Sequence, residues 1–326
     1  MRNNTRALTC AVVAMCSLVA YADPLATADE LLATRESFVG RAFINPNSVA
    51  YAYEEGLDKA NAQWGKKSLQ SAEARMMLGH ASVDEWERRT LYQQALSTTR
   101  DAVGENHPLY GRYLLEAASG LIDADAGRSG RRFLDDAEQW YSARAPQSNL
   151  ELAQIAFYRG ISSENRSRKK NAVEFYAQSA AIAASQSPTS DVLQDLMARA
   201  HGEALRILET GNKRDEATVH VLALARLGAN GGDAMPRQLF MVPPPYSRSL
   251  LRDRSQGTVT FEITIDEAGL VRNPSIVEID GPPEFGNAVL QVIDSWRFTP
   301  RIKNGEAVSA RLRNQYFFTT EEATEP

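Results

Sequence analysis

Apolar residues recur at helical spacing from about residue 29 to residue 229, and the alternation that marks a strand is absent from that span. After "GANGGDA" at 228–234 the pattern changes. Val259, Phe261, Ile263 and Ile265 alternate with Thr258, Thr260, Glu262 and Thr264, which predicts a strand with one wet face. "DEAG" at 266–269 is a hairpin turn signal, and a second strand is expected over about 270–279 with Val277 and Ile279 inward and Glu278 outward. Gly281-Pro282-Pro283 stops the sheet and opens a helix, in which Phe285, Ala288, Val289, Val292, Ile293 and Trp296 share one stripe. The chain then alternates once more. Val308, Ala310, Leu312, Tyr316 and Phe318 fall on one parity, broken only by Asn314, while Ser309, Arg311, Arg313 and Gln315 fall on the other. This predicts a last strand over 307–318 with one buried and one charged face. The fold class expected is an all-α domain followed by a small α+β domain in the order strand, strand, helix, strand, with an antiparallel sheet.

The helical part has a fixed period. Ala118, Gly160 and Gly202 are 42 positions apart, and Leu91-Tyr92, Phe133-Leu134 and Phe175-Tyr176 take the same step, as do Ala95, Ala137 and Ser179. Pro146 and Pro188 mark turns one period apart. Two antiparallel helices cannot cover their own apolar faces, so each pair stacks on the next, a small residue admitting the neighbouring helix. The pattern resembles the tetratricopeptide class in its longer, kinesin-light-chain-like form, over roughly 64–227. "GENHPLYGRYLLEAA", with Gly104, His107 and Pro108 ahead of a helix, resembles the turn of that form.

Ahead of the repeats, Arg2 and Arg6 precede an apolar run over 7–19 and small residues Ala20 and Ala22, the pattern of a secretory signal cleaved after Ala22. The run is shorter than the roughly 20 apolar residues that a membrane span needs. Thr9 and Met15 stand before the two cysteines, where a lipobox would carry a small residue. Both cysteines lie within the signal, so the mature chain holds itself together without disulfides. Cleavage removes two arginines and no acid, moving the formal charge from −5 to −7, a balance that argues against nucleic acid. The expected organisation is a signal peptide at 1–22, helical repeats at 23–228, a linker at 229–256, the small domain at 257–320 and a disordered tail at 321–326.

Candidate chemistry is thin. His80, His107, His201 and His220 show no metal-ligand spacing and no mature cysteine joins them. "RSRKK" at 166–170 sits where the period predicts a turn. "GANGGDA" has no preceding strand and no P-loop lysine. With no nucleophile–base pair, metal cluster or phosphate loop, the reading is non-enzymatic, with no cofactor.

Gly257, Val259, Phe261, Ile263, Asp266, Gly269 and Val271, then Trp296-x-Phe298-x-Pro300, Gly305 and Val308, resemble the C-terminal domain of the TonB family, over about 243–318. That resemblance implies a binding mode. Members of the family seated in the periplasm take an extended segment of an outer-membrane receptor and add it beside the last strand, drawing affinity from main-chain hydrogen bonds. The candidate partner-binding residues are therefore Tyr246, Val308, Ala310, Arg311, Leu312, Arg313 and Gln315. Tyr246-Ser247 stands where the family carries a Tyr-Pro element, and repeats replace its proline-rich spacer. The function expected is that of a periplasmic adaptor, whose partners are a segment of an outer-membrane receptor or other envelope protein and a second protein on the repeats. The alternative is a TonB-like energy transducer, held on the periplasmic side of the inner membrane by an uncleaved leader.

Overall fold

A computed structural model of the chain describes residues 26–31, 46–125, 127–144, 149–185, 190–229 and 231–319. The expected signal, the tail at 321–326, Pro146 and Pro188 lie outside these residues. After a helical stretch at 26–31 come α1 (Pro46–Trp64), α2 (Leu69–Ala81), α3 (Glu85–Val103), α4 (Pro108–Asp123), α5 (Gly127–Ser142), α6 (Asn149–Glu164), α7 (Lys169–Ala184), α8 (Asp191–Thr210) and α9 (Arg214–Ala229). The chain divides into two compact units, 1–175 and 176–326.

The 42-residue step is a step between helix starts. α3, α5 and α7 open at Glu85, Gly127 and Lys169. In each, the second residue of the repeated pair is the one sealed in the interior, namely Tyr92, Leu134 and Tyr176, and Ala95, Ala137 and Ser179 are fully buried one turn on. The ends follow local chemistry. Asp84 caps α3 by accepting from the Glu87 amide at 2.7 Å. Gly104, at φ +83°, ends the same helix, and His107 Nδ1 accepts from the Leu109 amide where Pro108 opens α4. "RSRKK" straddles the turn between α6 and α7, as the period predicts.

The small residues do not all act as expected. Ala118 is sealed and Gly160 buried, but around Gly202 nothing would meet an added Cβ, so no helix presses there. The glycines that admit a neighbour in the first unit are Gly79, against the Tyr92 ring, Gly111, against the Trp140 ring, Gly120, against the Tyr92 hydroxyl, and Gly130, against the Ile122 side chain. All fall outside the 42-residue set, because which glycine is pressed depends on which large side chain crosses it.

The second unit continues from α8 and α9 through β1 (Gln238–Phe240), α10 (Arg248–Arg252), β2 (Gly257–Ile265), β3 (Val271–Asp280), α11 (Glu284–Val292), a 3-10 turn (Ile293–Ser295), β4 (Arg297–Phe298), β5 (Arg301–Lys303), β6 (Glu306–Val308) and β7 (Ala310–Phe318). The main sheet has the order β3-β2-β7, all antiparallel. Its inner face and the α11 stripe enclose Val259, Phe261, Ile263, Ile265, Phe285, Val289, Ile293, Trp296 and Phe318. Trp296 is 1% exposed, packs edge-on to Phe261 and donates from Nε1 to the Val242 carbonyl at 2.8 Å.

Three expectations need correction. Val277 is not inward but 43% exposed, because β3 slips register between the Thr260–Glu278 and Phe261–Ile276 pairs; this extra residue puts Ile276 against the core instead, beside Ile279, which packs there as expected. The last strand does not begin at 307. Asn304 and Gly305 both have positive φ, 52° and 82°, and turn β5 into the separate strand β6 before Ser309 breaks the run. Third, the stretch expected as a linker carries structure: β1 pairs with β4, Ala234 bridges Ile302, and Asp233 Oδ1 accepts from the Asn304 amide. Its polar, glycine-rich composition hid the backbone hydrogen bonds that hold it.

Candidate functional site

Among the described residues β7 borders the sheet, so one of its sides carries no strand. The direction of its amides follows from the hairpin at the other end of β2. Asp266, the residue after that strand, donates its N–H to Leu270 and accepts from Gly269, so its backbone faces β3. Backbone direction alternates along a strand. The odd residues of β2 therefore face β7, where Val259, Phe261, Ile263 and Ile265 stand opposite Tyr316, Asn314, Leu312 and Ala310. On β7 it is then the even residues whose N–H and C=O bond β2. Those of Arg311, Arg313, Gln315 and Phe317 point away from the sheet. An independent contact agrees: the Gln315 amide is met at 2.9 Å by Asn314 Oδ1, not by β2.

The two faces of β7 differ in chemistry. Ala310, Leu312 and Tyr316 are half-buried and Phe318 is sealed, stacked on Phe285 at 3.9 Å between ring centroids. Burial raises the Tyr316 phenol above its ordinary range. On the wet face Arg311, Arg313, Gln315 and Phe317 are exposed, Phe317 at 64%. Gln315 Nε2 donates to Thr260 Oγ1 across the sheet. Glu262 stands opposite Arg313 in the register, yet neither arginine makes an ion pair among the described residues.

Of the residues named from the sequence, Ala310, Arg311, Leu312, Arg313 and Gln315 are brought together on this one strand. Arg311, Arg313 and Gln315 offer the outward backbone, and Ala310 and Leu312 form the ladder to β2. Val308 is separated from them; it lies on β6, opposite Arg301. Tyr246 sits at the core, with its ring edge-on to Phe285 and Phe318 at 5.5 Å each and its hydroxyl donating to the Ser255 carbonyl. Ser247, in place of the family's proline, caps the short helix α10. Phe317 was missed, although it continues the parity of Arg311 and Arg313 in the sequence.

The histidines do come together in one place: His201 Nδ1 and His220 Nδ1 lie 2.9 Å apart between α8 and α9. Burial pushes the His220 imidazole down to about 4, with His201 adding to the effect. Among the described residues no group of three or more His, Cys, Asp or Glu could hold a metal ion. No helix among them is long and apolar enough to cross a membrane.

Residues 242–320 match the family model of the Gram-negative bacterial TonB protein C-terminal domain. The match begins at Val242, whose carbonyl receives the Trp296 indole, and it takes in every strand of the main sheet. Helical repeats resembling the tetratricopeptide class precede it. A solved structure of nearly identical tetratricopeptide-like repeats from a kinesin light chain of Podosopora anserina is 14% identical, covering 65% of this chain and 98% of that one, with a TM-score of 0.43. No curated protein sequence matches the chain. The TonB family is one of envelope-associated proteins that act through protein–protein interaction.

Proposed function

We infer that the protein is an adaptor of the periplasm, which binds an extended segment of an outer-membrane receptor or other envelope protein by adding it as a strand beside β7, while its helical repeats engage a second protein. The observation that supports this reading most is the outward backbone of Arg311, Arg313, Gln315 and Phe317 on the unoccupied side of an otherwise regular strand. Main-chain hydrogen bonds to that edge supply affinity, and the exposed side chains of the same residues select the partner. The two arginines also discourage indiscriminate edge pairing while admitting an acidic segment. A cleaved leader accords with the adaptor; an anchored transducer would keep it.

The test places a photo-crosslinking residue at Gln315, on the open edge, and in a second variant at Val277, on β3. Irradiated in the cell envelope, the Gln315 variant should capture an envelope protein through a short peptide, and the Val277 variant should not. Equal capture from both, or capture from Val277 alone, would remove β7 as the docking edge. Intact mass of the purified protein then reports whether the leader is cleaved.

A further inference from the structure

The matched segment begins at residue 242, yet its largest buried cation is neutralised from outside it. Arg297, on β4, is 0% exposed. Its Nη1 lies 3.3 Å from Glu209 Oε1, at the end of α8, and its Nη2 donates to Thr218 Oγ1 at 2.6 Å and to the Arg214 carbonyl at 3.3 Å, both on α9. Glu209 is itself sealed, and its other oxygen lies 3.3 Å from Arg214 Nε. Arg214 in turn donates to the carbonyls of Asp294 and Trp296, at 2.7 and 3.1 Å. One ion pair, Arg297 with Glu209, thus crosses from the sheet domain to the helices, and Arg214 returns hydrogen bonds from the helices to main-chain carbonyls of the sheet domain. Packing follows the same line: Val221, on α9, presses against Gly269 in the β2–β3 turn, where φ is +83°.

Removed from α8 and α9, the TonB-like segment would hold an arginine that is built to be buried and lacks its carboxylate. Breaking such a pair leaves an uncompensated charge, which is far costlier than losing an exposed one. The grip also falls on a particular place. Trp296, whose carbonyl Arg214 holds, packs its ring on Phe261 of β2 and on Tyr316 of β7, with centroids 5.5 and 6.1 Å apart.

We propose that the α8–α9 hairpin is a built-in partner of the TonB-like domain, locked to it by Glu209, Arg214 and Arg297, so that the strand-docking module of this protein is residues 190–319 and opens as one cooperative unit. The last helix pair thus belongs with the sheet and not with the repeats whose period it continues. A pull on β7 is borne by α8 and α9 as well as by the sheet.

Native-state hydrogen exchange on the full chain tests this without any partner, so its outcome is independent of the docking reading. In the wild type the slowest amides of α9 and of β2 should share one protection, within about threefold. Glu209→Gln should speed both sets together, by about a hundredfold or more, as expected for an uncompensated buried cation. Glu203→Gln, which breaks the exposed pair with Arg206 on the same helix, should change neither. If Glu209→Gln fails to fold, Thr218→Val removes only the hydroxyl that Arg297 meets and should speed both sets by about tenfold. Faster exchange confined to α8 and α9, with β2 unchanged, would overturn the proposal, as would wild-type α9 amides opening a hundredfold more readily than those of β2.

Discussion

β3 and β7 border the same central strand, yet β7 keeps nine consecutive pairs with β2, whereas β3 slips register twice over its ten residues. β3 also contains Pro274, which has no amide to offer, and Asn273 at φ +50°, which turns the backbone out of the pleat. Its exposed Val277 sits at one of the slips. An added strand needs donors and acceptors at regular spacing, so the bulges close one edge by geometry alone. β7 has no such interruption, and its defence is only the charge of Arg311 and Arg313. Two edges of one sheet thus differ in regularity: β3 is irregular enough to resist pairing, whereas β7 is left regular enough to accept it.

The comparison breaks most completely if the core beneath both edges is removed. Truncating Trp296 to alanine should cost about 3–5 kcal/mol, as for a large buried aromatic. The sheet should then unfold with α8 and α9, while the helical circular dichroism of the first unit persists. A retained cooperative melt of the second unit would show that Trp296 is peripheral.

Next in size is a proline scan of β7. Asn314 and Arg313 are exposed neighbours whose amides face opposite ways. Asn314→Pro deletes a bond to β2 and should cost more than about 2 kcal/mol in a thermal or urea melt, whereas Arg313→Pro, deleting an outward amide, should cost less than about 1 kcal/mol. Equal destabilisation would mean that the assigned parity is wrong.

A smaller effect comes from repairing the closed edge. Deleting Val277 restores plain alternation, with Ile276 inward, Glu278 outward and Ile279 inward. The variant should fold and self-associate more than wild type through a β3 edge that now offers regular spacing, as read by sedimentation velocity. An unchanged monomer would show that the bulge at Val277 is not what protects that edge.

The smallest effect lies away from the edges. Because the folded His220 is pushed down to about 4, the unfolded chain binds more protons below its ordinary value near 6.5. The stability this supports is full above about pH 6.5 and falls as the pH drops toward 4. His220→Asn should flatten that part of the profile in melts of the second unit.

Much of this was legible from the sequence, and the misses have physical causes. The alternation of Val259 to Ile265 and of Ala310 to Phe318 survives unchanged, because a regular ladder keeps a period of two. The β3 reading failed at Val277, since a bulge breaks the period without leaving a compositional mark. The β5–β6 hairpin had its mark, Asn304-Gly305, which was passed over in favour of the longer run of alternation. The role of 229–256 rests on pairing with β4 and β5, and the tie between the last helix pair and the sheet rests on Glu209 meeting Arg297, contacts between residues far apart in the chain that no local pattern carries. Tyr246 went to the core because aromatic rings at Phe285 and Phe318 leave a slot for it that only the folded sheet creates.

The claim that the free side of β7 is a docking edge is tested most directly by amide exchange along that one strand, with and without the captured partner. In the free protein Arg311, Arg313 and Phe317 should exchange fast, Leu312, Asn314 and Tyr316 slowly, and Gln315 at an intermediate rate because Asn314 Oδ1 meets its amide. On binding, the odd-numbered amides should slow by at least about tenfold while the even-numbered ones barely change. Uniform rates along β7 in the free protein, or protection that appears on binding elsewhere and not at Arg311, Arg313 and Phe317, would contradict the account.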